Sequence, residues 1–269
     1  MRLYAKVIGA SHPETILFIP GLTGSHAGWD ENFQALSHDY RLVLIDTLGF
    51  AHSPKPDLTY TLDDHLCALS DTLRELDISR VHIVSHSMGT LLSLAFAYRF
   101  PESVDKLALL ALPWFQNEEE ARKHISESSL FHRFLAMDTP LAHAVCLLMC
   151  ALRPLLLPVM PLLARDVPPL AAKDALRHTW VSYSRTLRNV IFRAETTRWL
   201  AETRNPILLI QGRRDRAAPP ECVKENLATL RRAGPVELVE LDADHGLVFT
   251  HSQLISALVA GFLQRDQTS

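Results

Sequence analysis

Val81-His82-Ile83-Val84-Ser85-His86-Ser87-Met88-Gly89 runs from an apolar, strand-like segment directly into a helical pattern, with small residues on both sides of Ser87. A chain that reverses from strand to helix this abruptly leaves no room for bulk two positions before or after the corner residue, because side chains there would collide. Gly89 meets that demand on one side, and Ser85 must meet it on the other. The stretch therefore predicts a sharp elbow with the Ser87 hydroxyl held out at its tip.

A serine hydroxyl is a weak nucleophile unless a histidine can take its proton and a carboxylate can orient that histidine. Both occur downstream, acid before base. The apolar run Pro206-Ile207-Leu208-Leu209-Ile210 leads into Gln211-Gly212-Arg213-Arg214-Asp215, and the run from Val236 to Leu241 leads into Asp242-Ala243-Asp244-His245-Gly246. Each candidate follows the carboxyl end of a predicted strand, the edge of an open α/β sheet where sites gather. Among thirteen histidines, His245 is set apart by following the last predicted strand and preceding Gly246. Asp215 is flanked by Arg213, Arg214 and Arg216, which also suits a surface ion-pair role. Asp242 and Asp244 stay open as alternatives for the acid. The loop after the strand that follows the elbow helix, Ala111-Leu112-Pro113-Trp114, holds no carboxylate until Glu118.

Outward from the elbow, short apolar runs at 2–8, 15–19, 41–46, 80–84, 104–111, 206–211 and 236–241 predict strands. Helical patterns at Thr61 to Leu76, Met88 to Phe100, Pro219 to Arg232 and His251 to Leu263 fall between them. Alternation of this kind predicts an α/β fold with a doubly wound, mostly parallel sheet. Residues 113–200 break the rhythm with several helical patterns joined by prolines and no strand-like run.

Four matches carry a resemblance to the α/β-hydrolase superfamily. Ile19-Pro20-Gly21-Leu22-Thr23-Gly24 resembles its oxyanion loop, and Asp46-Thr47-Leu48-Gly49-Phe50-Ala51-His52-Ser53 its loop after the next strand. The Ser87 elbow and the Asp215 and His245 loops complete the set. The usual GxSxG reads Ser85-His86-Ser87-Met88-Gly89, and the usual His-Gly of the oxyanion loop reads Pro20-Gly21. The resemblance implies a core of 1–112 and 201–269, with 113–200 as a helical cap over the site. It implies Ser87 as nucleophile, His245 as general base and acid, Asp215 as the orienting acid, and the backbone N–H groups of Leu22 and Met88 as the oxyanion hole. No cofactor and no metal are expected.

On this reading the chain hydrolyses an ester, thioester or lactone of a small apolar acyl or aromatic substrate. Carbon–carbon bond hydrolysis, acyl transfer to another acceptor, a haloperoxidase-like activity and non-catalytic ligand binding are the alternatives. Epoxide hydrolase and dehalogenase chemistry is disfavoured, because those relatives carry aspartate where Ser87 stands.

The bulk composition agrees with a single globular body. The chain has 269 residues, 48% of them hydrophobic, and a formal net charge of -3. It has neither a disordered composition nor a basic face for nucleic acid. Cys67, Cys146, Cys150 and Cys222 lack paired zinc-site spacing and read as reduced core or pocket residues. With no secretory signal visible at the start, the expected compartment is the cytoplasm. The apolar stretch from Leu141 to Leu163 is interrupted by Arg153, Pro154, Pro158 and Pro161. A bilayer span needs about 20 uninterrupted apolar residues, so no stable span is expected. Buried cap helices, a homodimer contact or contact with a membrane surface remain.

Overall fold

The computed structural model describes residues 1–128, 139–232 and 234–265. Its centre is a sheet of seven strands: β1 (Ala5–Ile8), β2 (Thr15–Ile19), β3 (Arg41–Ile45), β4 (Val81–His86), β5 (Val104–Leu110), β6 (Ile207–Gly212) and β7 (Val236–Leu241). They lie in the order β1-β3-β2-β4-β5-β6-β7, with β1 antiparallel to β3 and every other pairing parallel. From β2 the chain goes first to β3 on one side and then to β4 on the other. That reversal opens a crevice at the carboxyl ends of β2 and β4, where open α/β sheets bind ligands.

The inner strands β2, β3 and β6 are nearly continuous apolar, buried runs because helices cover both faces, whereas β7 at the edge alternates Glu237 and Glu240 with apolar residues. Alternate residues feed separate cores: Leu17 and Ile19 join one cluster, Ile16 and Phe18 the other. Leu62–Glu75 and Met88–Arg99 contribute to the first. Thr61 begins the former with a capping box, accepting from the Asp64 N–H at 3.2 Å while its own N–H donates to Asp64 Oδ2 at 2.8 Å. The Ser252–Gln264 helix covers the second face with Ile255, Val259, Phe262 and Leu263, the spacing of one helical stripe.

Between β5 and β6 every element among the described residues is helical. The longer pieces are Glu118–Ser128, Pro140–Ala151, Pro169–Asp174, Trp180–Thr186 and Thr196–Glu202. Pro169–Asp174 packs on the turn His26–Gly28, and Thr196–Glu202 lies along Met88–Arg99. Tyr183, Leu187, Val190, Trp199 and Leu200 belong to the same hydrophobic cluster as the sheet, so the end of the insertion is built into the core.

The stretch from Leu141 to Leu163 turns its large side chains outward. The Pro140–Ala151 helix buries Ala142 and Cys146 and exposes Leu141, Leu147 and Leu148. Leu155, Leu162 and Leu163 beyond it are 70%, 68% and 73% exposed. A surface helix ordinarily points small or polar residues at water, and this one is inverted. Among the described residues, no helix is long and apolar enough to cross a membrane.

Candidate active site

Ser87 sits where β4 ends and the Met88–Arg99 helix begins, at φ 52° and ψ -123°. Its N–H is anchored to the Leu110 carbonyl at 2.9 Å, which extends the β4–β5 pairing past the end of the strand. Gly89 is required by contact as well as by the turn: a Cβ there would lie 2.4 Å from the Ile19 carbonyl oxygen and 2.7 Å from that of Pro20. Ser85 is fully buried beside Ile19 and Leu109, consistent with the need for a small side chain. The loop after β2 passes directly over the elbow, since a Cβ on Gly21 would come within 3.1 Å of Ser87 Cβ. Leu22 thus directly follows the residue packed on the Ser87 side chain, and Met88 directly follows Ser87.

His245 and Asp215 arrive on two loops that are sewn together. The Arg213 N–H donates to the Leu241 carbonyl at 2.8 Å and the Arg214 N–H to that of Ala243 at 2.9 Å, continuing the β6–β7 ladder. His245 Nε2 lies 3.0 Å from Ser87 Oγ, and His245 Nδ1 lies 2.8 Å from Asp215 Oδ2. The other carboxylate oxygen of Asp215 accepts from the backbone N–H groups of Ala217 and Ala218, both at 2.9 Å. Asp215 is 3% exposed, so the surrounding arginines do not turn it into a surface ion pair. Asp242 pairs with Arg214 at 2.5 Å, and Asp244 accepts from the Gly246 N–H at 2.8 Å. Both have other work, and Asp215 alone meets the imidazole. A hydroxyl, an imidazole and a carboxylate in this order can pass a proton from oxygen to nitrogen while stabilising the resulting imidazolium.

Two supporting features were not foreseen from the chain. The ring of His86 donates from Nε2 to the His245 carbonyl at 2.9 Å, with the two rings 5.0 Å apart. Burial, and then the neighbouring His245, push the His86 pKa down to about 3, so the ring is neutral and can act as a fixed donor. The second feature is a clamp made by Asp46. Its Oδ1 accepts from the His26 N–H at 2.7 Å and faces His26 Nδ1 at 2.9 Å. Its Oδ2 accepts from the His52 N–H at 2.9 Å and faces His52 Nδ1 at 3.1 Å. Burial alone would raise the pKa of Asp46, but the bonds from His26 and His52 outweigh it and hold the carboxylate below its ordinary range. The clamp ties the segment after β2 to the loop after β3. A histidine 20 positions before an aspartate carries no local signal of this contact; only the resemblance of the Asp46–Ser53 loop pointed there.

An open depression lined by Leu73, Asp77, Phe96, Phe100 and Ser103 lies at the opposite, amino edge of the sheet, away from Ser87.

A parallel sheet with one antiparallel edge strand, an elbow serine at its switch point and a helical insertion after β5 define an α/β-hydrolase architecture. Residues 14–252 match the family model described as the alpha/beta hydrolase fold, and the chain belongs to that family. It is 30% identical over 252 residues to the probable lysophospholipase BODYGUARD 4 of Arabidopsis thaliana, covering 86% of this chain and 60% of that protein. BODYGUARD 5 from the same plant is 27% identical over 262 residues, 87% of this chain and 58% of its own length. The chain thus spans about three fifths of these relatives. Among solved structures, the enol-lactonase from Burkholderia xenovorans LB400 superposes with a TM-score of 0.73 at 23% identity, covering 98% of this chain and 96% of that one. A mutant epoxide hydrolase from Bacillus megaterium gives 0.74 at 21%, covering 98% and 97%. At these identities the two structures speak for the fold alone.

Proposed function

We propose that this chain is a serine hydrolase that cleaves an ester, thioester or lactone of an apolar acyl or aromatic substrate. The observation that carries the reading is the unbroken line from Ser87 Oγ to His245 Nε2 at 3.0 Å and from His245 Nδ1 to Asp215 Oδ2 at 2.8 Å. Ser87 Oγ bonds to the substrate carbonyl carbon as its proton passes to His245 Nε2, and the carbonyl π electrons move onto oxygen. The backbone N–H groups of Leu22 and Met88 receive that oxyanion. Collapse of the intermediate breaks the bond to the leaving group, which takes the proton from His245 and departs. Water then gives a proton to His245 and attacks the acyl-serine, and collapse returns the proton to Ser87 Oγ with release of the acid. Asp215 keeps Nδ1 protonated throughout and stabilises the transient imidazolium.

The apolar character of the substrate rests on the leucine-rich insertion and on BODYGUARD 4, named a probable lysophospholipase. The outward leucines from Leu141 to Leu163 fit a surface that meets lipid, from which such a substrate is drawn. Four free cysteines fit a reducing compartment, the cytoplasm.

A fluorophosphonate probe and a series of p-nitrophenyl esters and lysophospholipids test the reading together. Labelling confined to Ser87 and lost in Ser87→Ala, with turnover rising with acyl length, is the expected result. Equal labelling of Ser87→Ala refutes the nucleophile, and turnover of acetate alone refutes the substrate class. Pelleting with phospholipid vesicles tests the surface. Loss of pelleting in a Leu155→Ser/Leu162→Ser/Leu163→Ser variant is expected, whereas a dimer that those changes dissociate would make the leucines a contact between copies.

A further inference from the structure

The first helix of the insertion, Glu118–Ser128, meets the Pro220–Thr229 helix at three side chains of different chemistry. Glu120 and His124 stand four residues apart on one face of the former, and Cys222 faces them from the first turn of the latter. Cys222 Sγ lies 3.7 Å from Glu120 Oε1 and 3.9 Å from His124 Nε2. One ligand atom from each residue lies within 4.8 Å of the other two. A tetrahedral Zn²⁺ at about 2.3 Å from sulfur and about 2.0 Å from nitrogen or oxygen sets neighbouring ligand atoms roughly 3.5 Å apart. The two sulfur separations exceed that value by a few tenths of an ångström, which side-chain rotation can absorb.

The donors are also held by contacts that leave their coordinating atoms available. Glu120 Oε2 accepts from the Gln116 N–H at 2.6 Å, leaving Oε1 turned toward the thiol. The His124 ring stacks on Phe115 with centroids 5.7 Å apart and planes 9° from parallel. A hydrogen bond such as that on Glu120 Oε2 orients a ligating carboxylate. His26, Asp46 and His52 form the other close group of ligand types among the described residues, but both Nδ1 atoms there already face the Asp46 carboxylate, which also holds two backbone N–H groups. That group is a clamp between loops.

We propose that Glu120, His124 and Cys222 form a binding site for a divalent transition-metal ion, zinc in preference, with water in the fourth position. A thiolate, an imidazole and a carboxylate suit zinc, whereas magnesium and calcium require oxygen donors. On binding, Cys222 releases its proton to solvent and its sulfur bonds the metal, with no change of oxidation state. The ion would join the helix that opens the insertion to the helix that follows the Asp215 loop. Metal occupancy would therefore stiffen the attachment of the insertion beside the catalytic acid.

Cobalt(II) added to the metal-free protein provides the direct readout, because thiolate coordination produces a near-ultraviolet charge-transfer band. The band is expected in the intact chain and in Ser87→Ala, absent in Cys222→Ser, weakened at least about tenfold in apparent affinity in His124→Ala, and displaced by Zn²⁺. No band in the intact chain, or a band that persists in Cys222→Ser, overturns the site. A second measurement avoids substitutions altogether. Zn²⁺ should slow alkylation of Cys222, followed by mass spectrometry, at least about tenfold while leaving exposed Cys67 unaffected. Equal alkylation of Cys222 with and without Zn²⁺ rejects the proposal.

Discussion

Asparagine at position 215 would test the proton relay more sharply than removal of the serine. Asp215 Oδ1 accepts from the N–H groups of Ala217 and Ala218 at 2.9 Å, while Oδ2 faces His245 Nδ1 at 2.8 Å. An asparagine side chain has only one accepting oxygen, and two backbone donors require it on their side. Its NH₂ group must then occupy the place of Oδ2 and donate to His245 Nδ1. The imidazole is left carrying its proton on Nε2, pointing at Ser87 Oγ, and can no longer accept the hydroxyl proton. The shape of the site is retained and the base is lost. In such relays the wrong tautomer lowers turnover about 10⁴-fold, equivalent to roughly 5 kcal/mol of transition-state stabilisation. The assay is kcat/KM on a p-nitrophenyl ester and the second-order rate of fluorophosphonate labelling, with thermal unfolding measured alongside. Both rates should fall by at least about 10³-fold while Tm moves by a few degrees. Asp215→Asn retaining activity within about tenfold of the parent would refute the relay.

Three further outcomes are expected. His86→Ala removes the donor to the His245 carbonyl, so kcat should fall about 10–100-fold with KM little changed, and His86→Gln, which keeps an N–H, should recover part of it; equal kcat in all three proteins would reduce His86 to packing. Gly89→Ala forces a Cβ to 2.4 Å from the Ile19 carbonyl oxygen, and thermal melts should show a loss of more than about 2 kcal/mol, whereas an unchanged melt would contradict the close approach at the elbow. His65, His86 and His178 are driven by burial to about 4, about 3 and about 4. Because the unfolded chain takes up these protons near 6.5 and the folded chain does not, stability should be complete above that pH and decline as pH falls toward 4. At pH 5 each histidine accounts for a loss on the order of 2 kcal/mol, and urea midpoints equal at pH 7 and pH 5 would exclude this.

The middle of the sheet was legible because β2, β3 and β6 are nearly continuous apolar runs, a pattern that a parallel sheet covered on both faces imposes. β4 departs from it at its end: it extends through Ser85 and His86, whose polarity conceals strand residues that pair with Leu109 and Leu110. The helix expected from Pro219 to Arg232 stops at Thr229, since Leu230 turns extended and Arg232 is drawn to the carbonyls of Leu200 and Thr203. Such a boundary is tertiary and leaves no local trace. Ser87, Asp215 and His245 could be picked out because each follows a strand that could itself be recognised. His86 could not, because its partner is a backbone carbonyl reached only when the β4 and β7 loops meet. The outward leucines show the complementary limit, since composition reports how apolar a helix is and not which way it faces.

The backbone at Ser87, with φ 52° and ψ -123°, has a consequence for any effort to make this protein withstand heat. A residue with a Cβ in that region carries strain on the order of 1–3 kcal/mol, which glycine would relieve at an unfolded-state entropy cost of about 1 kcal/mol. Selection on melting temperature alone would thus tolerate or favour glycine at the one position whose hydroxyl begins the chemistry. Libraries screened for robustness without a turnover assay should drift toward well-folded, inert proteins at this site, the trade-off between durability and activity concentrated in a single residue.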